Sequence, residues 1–184
     1  MSRVERKDEL SRFIRALAFA AHRHRAQRRK DAAASPYINH PIALVDVLVN
    51  EGGVTDAVVL CAAVLHDTIE DTETTADEIA QAFGERVASI VVEVSDDKSL
   101  PKDVRKAMQI EHAPTLSTEA KLVKLADKIC NLRDVLAAPP AGWPTERKRG
   151  YFAWAEKVVG GLRGSNARLE AAFDELLERR GELD

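Results

Sequence analysis

A chain of 184 residues, 45% apolar and 31% charged, has the composition of a globular protein of one domain and not of a disordered or fibrous one. The formal net charge of −3 gives no general attraction to nucleic acid or membrane surfaces, and no apolar run approaches the roughly 20 residues of a membrane span. A chain this long can bury a core without a structural metal, so a bound metal points to catalysis.

The segment from about Lys7 to Gln27 reads as an amphipathic helix, with Leu10, Phe13, Ile14, Leu17, Ala18 and Ala21 on one face. It ends in the basic run Arg23, Arg25, Arg28, Arg29, Lys30, which is either a solvated helix end or a contact for a polyanionic small molecule. After a loop from Lys30 to Tyr37, a second helix begins near His40-Pro41, where proline suits a first turn, and stops at Gly52-Gly53. Thr55 is the expected N-cap of a third helix, apolar nearly all round and therefore central. Short helices are expected over Ala76–Ala82 and Glu85–Val94, although the Val87–Val94 run also has strand propensity. Further helices follow: one through His112, one from Thr118 to Leu136 ended by Pro139-Pro140, and two near Thr145–Leu162 and Asn166–Arg180. The expected class is all-α, a compact multi-helix bundle, over a single domain of residues 1–184. Cys61 and Cys130 fall in apolar helical patterns and read as reduced core residues. The N-terminus has no signal-peptide core, so a cytoplasmic location is expected.

The strongest chemical signal is His66-Asp67-Thr68-Ile69-Glu70-Asp71. An imidazole and three carboxylates follow directly on a helix that should be buried, and such groups are costly to bury unpaired. A helix cap explains one or two of them, not all four. If the segment is helical, His66 pairs with Glu70, and Asp67 with Asp71, at i and i+4. Two adjacent ligands do not complete a metal site, but His40 stands at a helix start, and Asp127 interrupts an apolar face with Asn131 one turn later. Alone, His40 is more often a satisfied structural histidine and Asp127 more often a lysine's partner; together with His66-Asp67 they form a candidate donor set.

The ordered pattern His…His-Asp…Asp resembles the HD phosphohydrolase superfamily. More narrowly, Gln27-Arg28-Arg29-Lys30-Asp31, Pro36-Tyr37-Ile38-Asn39-His40-Pro41, Leu65 to Thr72, Phe83-Gly84 and Lys124-Leu125-Ala126-Asp127-Lys128 resemble the hydrolase domain of RelA/SpoT-type alarmone enzymes. Length and the segment Tyr151 to Ala155 are most similar to the stand-alone small alarmone hydrolases. The likeness covers about residues 10–180. It implies an HD-domain bundle in which His40, His66, Asp67 and Asp127 bind one divalent ion, manganese (Mn2+) in the relatives. It also implies that Glu70 and Asp71 orient and deprotonate the attacking water, releasing the 3′-pyrophosphate of (p)ppGpp to leave GDP or GTP. Arg29, Lys30, Lys102, Asn131, Arg147 and Tyr151 match substrate-facing positions, though Lys102, Arg147 and Tyr151 also read as surface or core residues. The alanine-rich Asp31-Ala32-Ala33-Ala34-Ser35 departs from the usual turn, and Ser95 stands where threonine is common. His22 and His24 read as surface or supporting residues.

The implied partner is a nucleotide, with neither nucleic acid nor membrane involved; oligomeric state is left open. Two other readings stand beside this one. The same site suits an NADPH 2′-phosphatase or another nucleotide phosphohydrolase. A non-catalytic nucleotide-binding module would be expected to have lost a ligand or the Glu70-Asp71 pair, and all are present.

Overall fold

The computed structural model describes residues 3–183, with side chains from Lys7 onward, and the expected all-α class is what it has. The elements are α1 (Arg3–Arg23), α2 (Asn39–Asp46), α3 (Ala57–Leu65), α4 (Thr68–Asp71), α5 (Ala76–Phe83), α6 (Glu85–Val94), α7 (Lys102–His112), α8 (Thr118–Ala137), α9 (Thr145–Gly160) and α10 (Ala167–Glu178). A π-helical turn, Val47–Glu51, extends α2 and closes with Gly52 N–H donating to Val47 C=O (2.9 Å).

Helix α3 is the hub. Its run Cys61 to Leu65 is fully buried, and α1, α2, α6 and α8 all pack against it. Helix α8 is the second central element, touching α2, α3, α6, α9 and α10 and burying Val123, Leu125, Ala126, Ile129 and Leu132. Helix α6 is helical despite its β-branched residues, because Val87, Ala88, Ile90, Val91 and Val94 are buried at helical spacing and packing outweighs local propensity.

Two local expectations are corrected, and two further segments are defined more closely. Helix α1 ends at Arg23, not Gln27, and its inward face is Phe13, Ala16, Leu17 and Ala20, whereas Leu10 and Ile14 are exposed. The N-cap of α3 is Asp56, whose carboxylate accepts from Val58 N–H (2.8 Å), and not Thr55. Residues 66–71 are not one helix with α3. The chain turns at His66-Asp67, and α4 starts afresh at Thr68. The expected helix over 76–82 gains Phe83 and a full capping box, Thr75 with Glu78.

The loop between α1 and α2 is held by its own polar contacts. Asp31 accepts from Ser35 N–H (3.1 Å) and Ser35 Oγ–H (2.5 Å), Arg29 N–H donates to Ser35 C=O (2.8 Å), and Arg28 and Pro36 form a bridge. Ala34 takes a left-handed φ of 48° at the turn. The alanine-rich sequence thus still makes a closed turn, and it carries Gln27, Arg29 and Tyr37 to one side of the bundle.

Two glycines of the α9 region allow a test of the packing. A Cβ at Gly161 meets Ala113 Cβ and Pro114 Cδ at 2.8 Å, whereas a Cβ at Gly150 meets nothing within 4 Å. Gly161→Ala is expected to destabilise by about 1–3 kcal/mol. Gly150→Ala, in an exposed helical position, is expected to stabilise by about 0.5–1 kcal/mol. Urea unfolding of both variants checks the pair.

Candidate metal centre and active site

The end of α3 builds the centre of the site. A helix C-terminus leaves carbonyls without partners, and two side chains take them up. His66 Nδ1 stands 2.8 Å from Ala63 C=O, and Thr68 Oγ–H donates to Leu65 C=O (2.6 Å). Since a carbonyl only accepts, Nδ1 carries the proton, and in the neutral ring the Nε2 lone pair faces the other way. There it lies 2.8 Å from Asp67 Oδ2, yet it is buried and makes no well-aligned hydrogen bond among the described residues. His40, in the first turn of α2, brings its ring to 5.3 Å from that of His66 and its Nε2 to 3.2 Å from Asp127 Oδ1. Asp127 Oδ1 is in turn 4.0 Å from His66 Nε2. One ligand atom each from His40, His66 and Asp67 fits within 4.8 Å.

A nitrogen lone pair and a carboxylate oxygen at such a distance repel unless a positive charge joins them. The field says the same. Burial works against a charged His66, but Asp67 and Asp127 outweigh it and raise the imidazole to about 9. Burial would raise Asp67, but the adjacent His66 holds it well below the usual carboxylate range. Asp127 is likewise held down against burial, first by Lys128 and then by His40 and His66. Two imidazoles and two carboxylates around one point are an apt donor set for a divalent cation, which can replace the proton His66 otherwise attracts.

The surrounding contacts fix these groups. Tyr37 Oη–H donates to Asp67 Oδ2, and burial followed by the Asp67 charge keeps this phenol protonated. Asn131 Nδ2–H donates to Asp127 Oδ1 (2.6 Å), and Lys128 Nζ to Oδ2 (2.9 Å). Lys128 is only 3% exposed and lies 4.6 Å from the Trp154 ring; burial opposes its charge, but Asp127 raises it to about 12. Removing one partner of such a buried pair costs about 3–5 kcal/mol.

These residues line a cavity of about 200 Å³, with Arg29, Glu70, Asp96, Gln109, Lys124 and Tyr151 among its other walls. Glu70 Oε2 accepts from Asp96 N–H (3.1 Å), with Arg105 3.6 Å from its other oxygen. Burial, reinforced by the charges of Asp67, Asp96 and Asp71, raises Glu70 above the ordinary carboxylate range. Asp71 is not among the residues lining the cavity; it accepts from Gln27 Nε2–H (2.6 Å) and from Lys98.

Of the residues expected from sequence, His40, His66, Asp67, Asp127, Glu70, Arg29, Asn131 and Tyr151 meet at this cavity, whereas Lys30, Lys102 and Arg147 do not line it. These three still act on one another. Burial lowers Lys102, and the charges of Arg147 and Lys30 lower it further, so they form a cationic rim. Lys106 belongs to it, lying 4.6 Å from the Trp154 ring, and is lowered by burial and then by Lys102 and Lys128. Arg29 is ion-paired with Asp134 and lies over the Tyr37 ring at 5.7 Å.

Sequence reasoning assigned no role to Tyr37, Gln27, Asp96, Arg105, Lys124 or Lys128. Gln27, Tyr37, Lys124 and Lys128 do fall within the motifs that carry the resemblance, and Lys124 and Lys128 also flank Asp127 on a helix too apolar to leave them all in solvent. Lys124, whose Nζ donates to Val94 C=O (2.7 Å), is lowered by burial and then by Lys128.

The comparisons with known proteins agree with this architecture. Residues 16–151 match the HD domain family. The chain is 54% identical over 173 residues to the mouse guanosine-3′,5′-bis(diphosphate) 3′-pyrophosphohydrolase MESH1, covering 94% of this chain and 97% of that one. It is 49% identical to the Drosophila melanogaster protein of the same name over 94% of this chain and 97% of that one. A solved metazoan orthologue of SpoT, described as hydrolysing ppGpp and playing a role in starvation responses, superposes with a TM-score of 0.90 at 49% identity, covering 93% of this chain and 96% of that one. The chain belongs to the HD domain family and, within it, to the family of the MESH1-type guanosine-3′,5′-bis(diphosphate) 3′-pyrophosphohydrolases.

Proposed function

We propose that this protein is a hydrolase that removes the 3′-pyrophosphate of ppGpp and pppGpp, releasing pyrophosphate and GDP or GTP, with manganese as its cation. The observation that carries the reading is the convergence of His66 Nε2, Asp67 and Asp127 beside His40, with Glu70 in the same cavity wall. His40, His66, Asp67 and Asp127 would hold the cation, and manganese suits a mixed set of imidazole and carboxylate donors. Bound there, a divalent ion supplies Lewis-acid polarisation of the phosphoryl group and lowers the pKa of water.

The chain's own residues supply the rest. Glu70 would take the proton from the attacking water. Its raised proton affinity suits a base, and the Asp96 amide and Arg105 keep its carboxylate oriented. Asp71, held by Gln27 and Lys98, would support Glu70 from the same short helix α4. Arg29, Lys124 and Lys128 line the cavity as cations, and Lys30, Lys102, Lys106 and Arg147 extend the positive field outward, which suits a ligand with two pyrophosphate groups. Tyr151 and Asn131 offer a ring face and an amide to the nucleoside. We infer a cytoplasmic setting from the nucleotide substrate and from two buried free cysteines, Cys61 and Cys130.

The deciding assay measures pyrophosphate and phosphate release from ppGpp and from NADPH, with manganese and with chelator. Manganese-dependent pyrophosphate release from ppGpp is expected; phosphate release from NADPH alone would move the site to a 2′-phosphatase. Asp67→Ala is expected to lose both turnover and bound metal, and stoichiometric metal in that variant, measured by elemental analysis, would remove Asp67 from the ligand set. Glu70→Gln is expected to retain metal while kcat drops by about 100- to 10,000-fold. Near-normal turnover would take Glu70 out of the mechanism.

A further inference from the structure

We infer that His24 and Gln27, just beyond the end of α1, are positioning residues that fix the Asp71 carboxylate through a directional hydrogen-bond relay; the inference rests on the hydrolase reading above. Asp71 Oδ2 accepts from Gln27 Nε2–H at 2.6 Å, and its other oxygen accepts from Lys98. A carboxylate facing a donor lysine accepts at its remaining oxygen too, so the nitrogen of the Gln27 amide must face Asp71 and its oxygen must face away. That oxygen lies 2.6 Å from His24 Nδ1. Nδ1 is therefore the protonated nitrogen, and the relay runs His24 Nδ1–H to Gln27 Oε1, then Gln27 Nε2–H to Asp71.

Three further observations support a built device. His24 is only 2% exposed, and its Nε2 has no hydrogen-bond partner among the described residues, a cost that an apolar side chain would avoid. The backbone of Gln27 is pinned on both sides: its N–H donates to His24 C=O (2.9 Å) and its C=O accepts from Tyr37 N–H (3.2 Å). The His24 ring also packs against that of Tyr37, with centroids 4.9 Å apart, and Tyr37 donates to Asp67. One buried imidazole thus braces Asp71 through Gln27 and abuts the tyrosine that braces Asp67.

The relay makes a prediction about atoms as well as rates. Asparagine can present an amide donor where Nδ1 stands, whereas glutamine carries its amide further out, toward the place of Nε2. With ppGpp and manganese, Gln27→Leu and His24→Gln are expected to lower kcat about 10- to 100-fold, with KM little changed and bound metal undiminished. His24→Asn is expected to recover most of the loss. Imidazole nitrogen NMR of the wild-type protein in magnesium buffer gives a readout independent of turnover, and the Nδ1–H tautomer of His24 is expected. An Nε2–H tautomer, unchanged kcat in Gln27→Leu, equal impairment of His24→Asn and His24→Gln, or loss of metal with loss of turnover would each overturn the relay. Wild-type protein that leaves ppGpp intact while His24 shows the Nδ1–H tautomer would overturn the hydrolase reading and leave the hydrogen-bond arrangement standing.

Discussion

Two electron-rich atoms, His66 Nε2 and Asp67 Oδ2, are held 2.8 Å apart at the end of the most buried helix of the molecule. They do not drift apart because each is tethered from behind. The imidazole is held through Nδ1 to Ala63 C=O, and the carboxylate is held by Tyr37. Asp127 adds a second negative charge, locked by Asn131 and Lys128. Positive charge at this point relieves the repulsion, which is why the surrounding framework can be rigid and still specific for a cation.

The turn at His66-Asp67 makes this arrangement compatible with a packed core. Had α3 continued, Glu70 and Asp71 would have followed its buried faces. The break lets α4 leave the core, so that Glu70 enters the cavity wall while Asp71 reaches the loop after α1 and the loop after α6. Charge is then layered by depth. The acidic donors lie at the centre with Lys128 and Lys124 beside them, and Lys102, Lys106, Arg147 and Lys30 form the outer field. On the function proposed above, the rim would draw an anionic ligand inward while the centre keeps its preference for a cation.

The sequence made the candidate donor set visible because each member breaks an apolar pattern: His66-Asp67 after a continuous apolar helix, Asp127 inside another, His40 beside a helix-starting proline. The class was legible for a related reason, since helical spacing of buried residues survives even in the β-branched α6. What was hidden depends on long-range contact. Nothing local tells Asp56 from Thr55 as a cap. The exposed Leu10 and Ile14 carry the same periodicity as residues that are buried. Gln27 and Asp71 are 44 positions apart, and Arg105 reaches Glu70 from another helix, so their pairings come from packing alone. Lys30, Lys102 and Arg147 fell between the two cases: their shared field was foreseeable from charge, but their distance from the cavity lining was not.

The ion pair between Arg29 and Asp134 bears on how the cavity responds to its medium. The Asp134 side chain is 49% exposed and that of Arg29 is 19% exposed, so the pair is open to screening on one side. A phosphate approaching Arg29 competes with a carboxylate already in place. Dissolved electrolyte weakens the attraction of the rim for the incoming anion, but it also loosens the internal competitor. The two effects oppose each other at this residue, so capture of the nucleotide should depend less steeply on ionic strength than the number of surrounding cations implies.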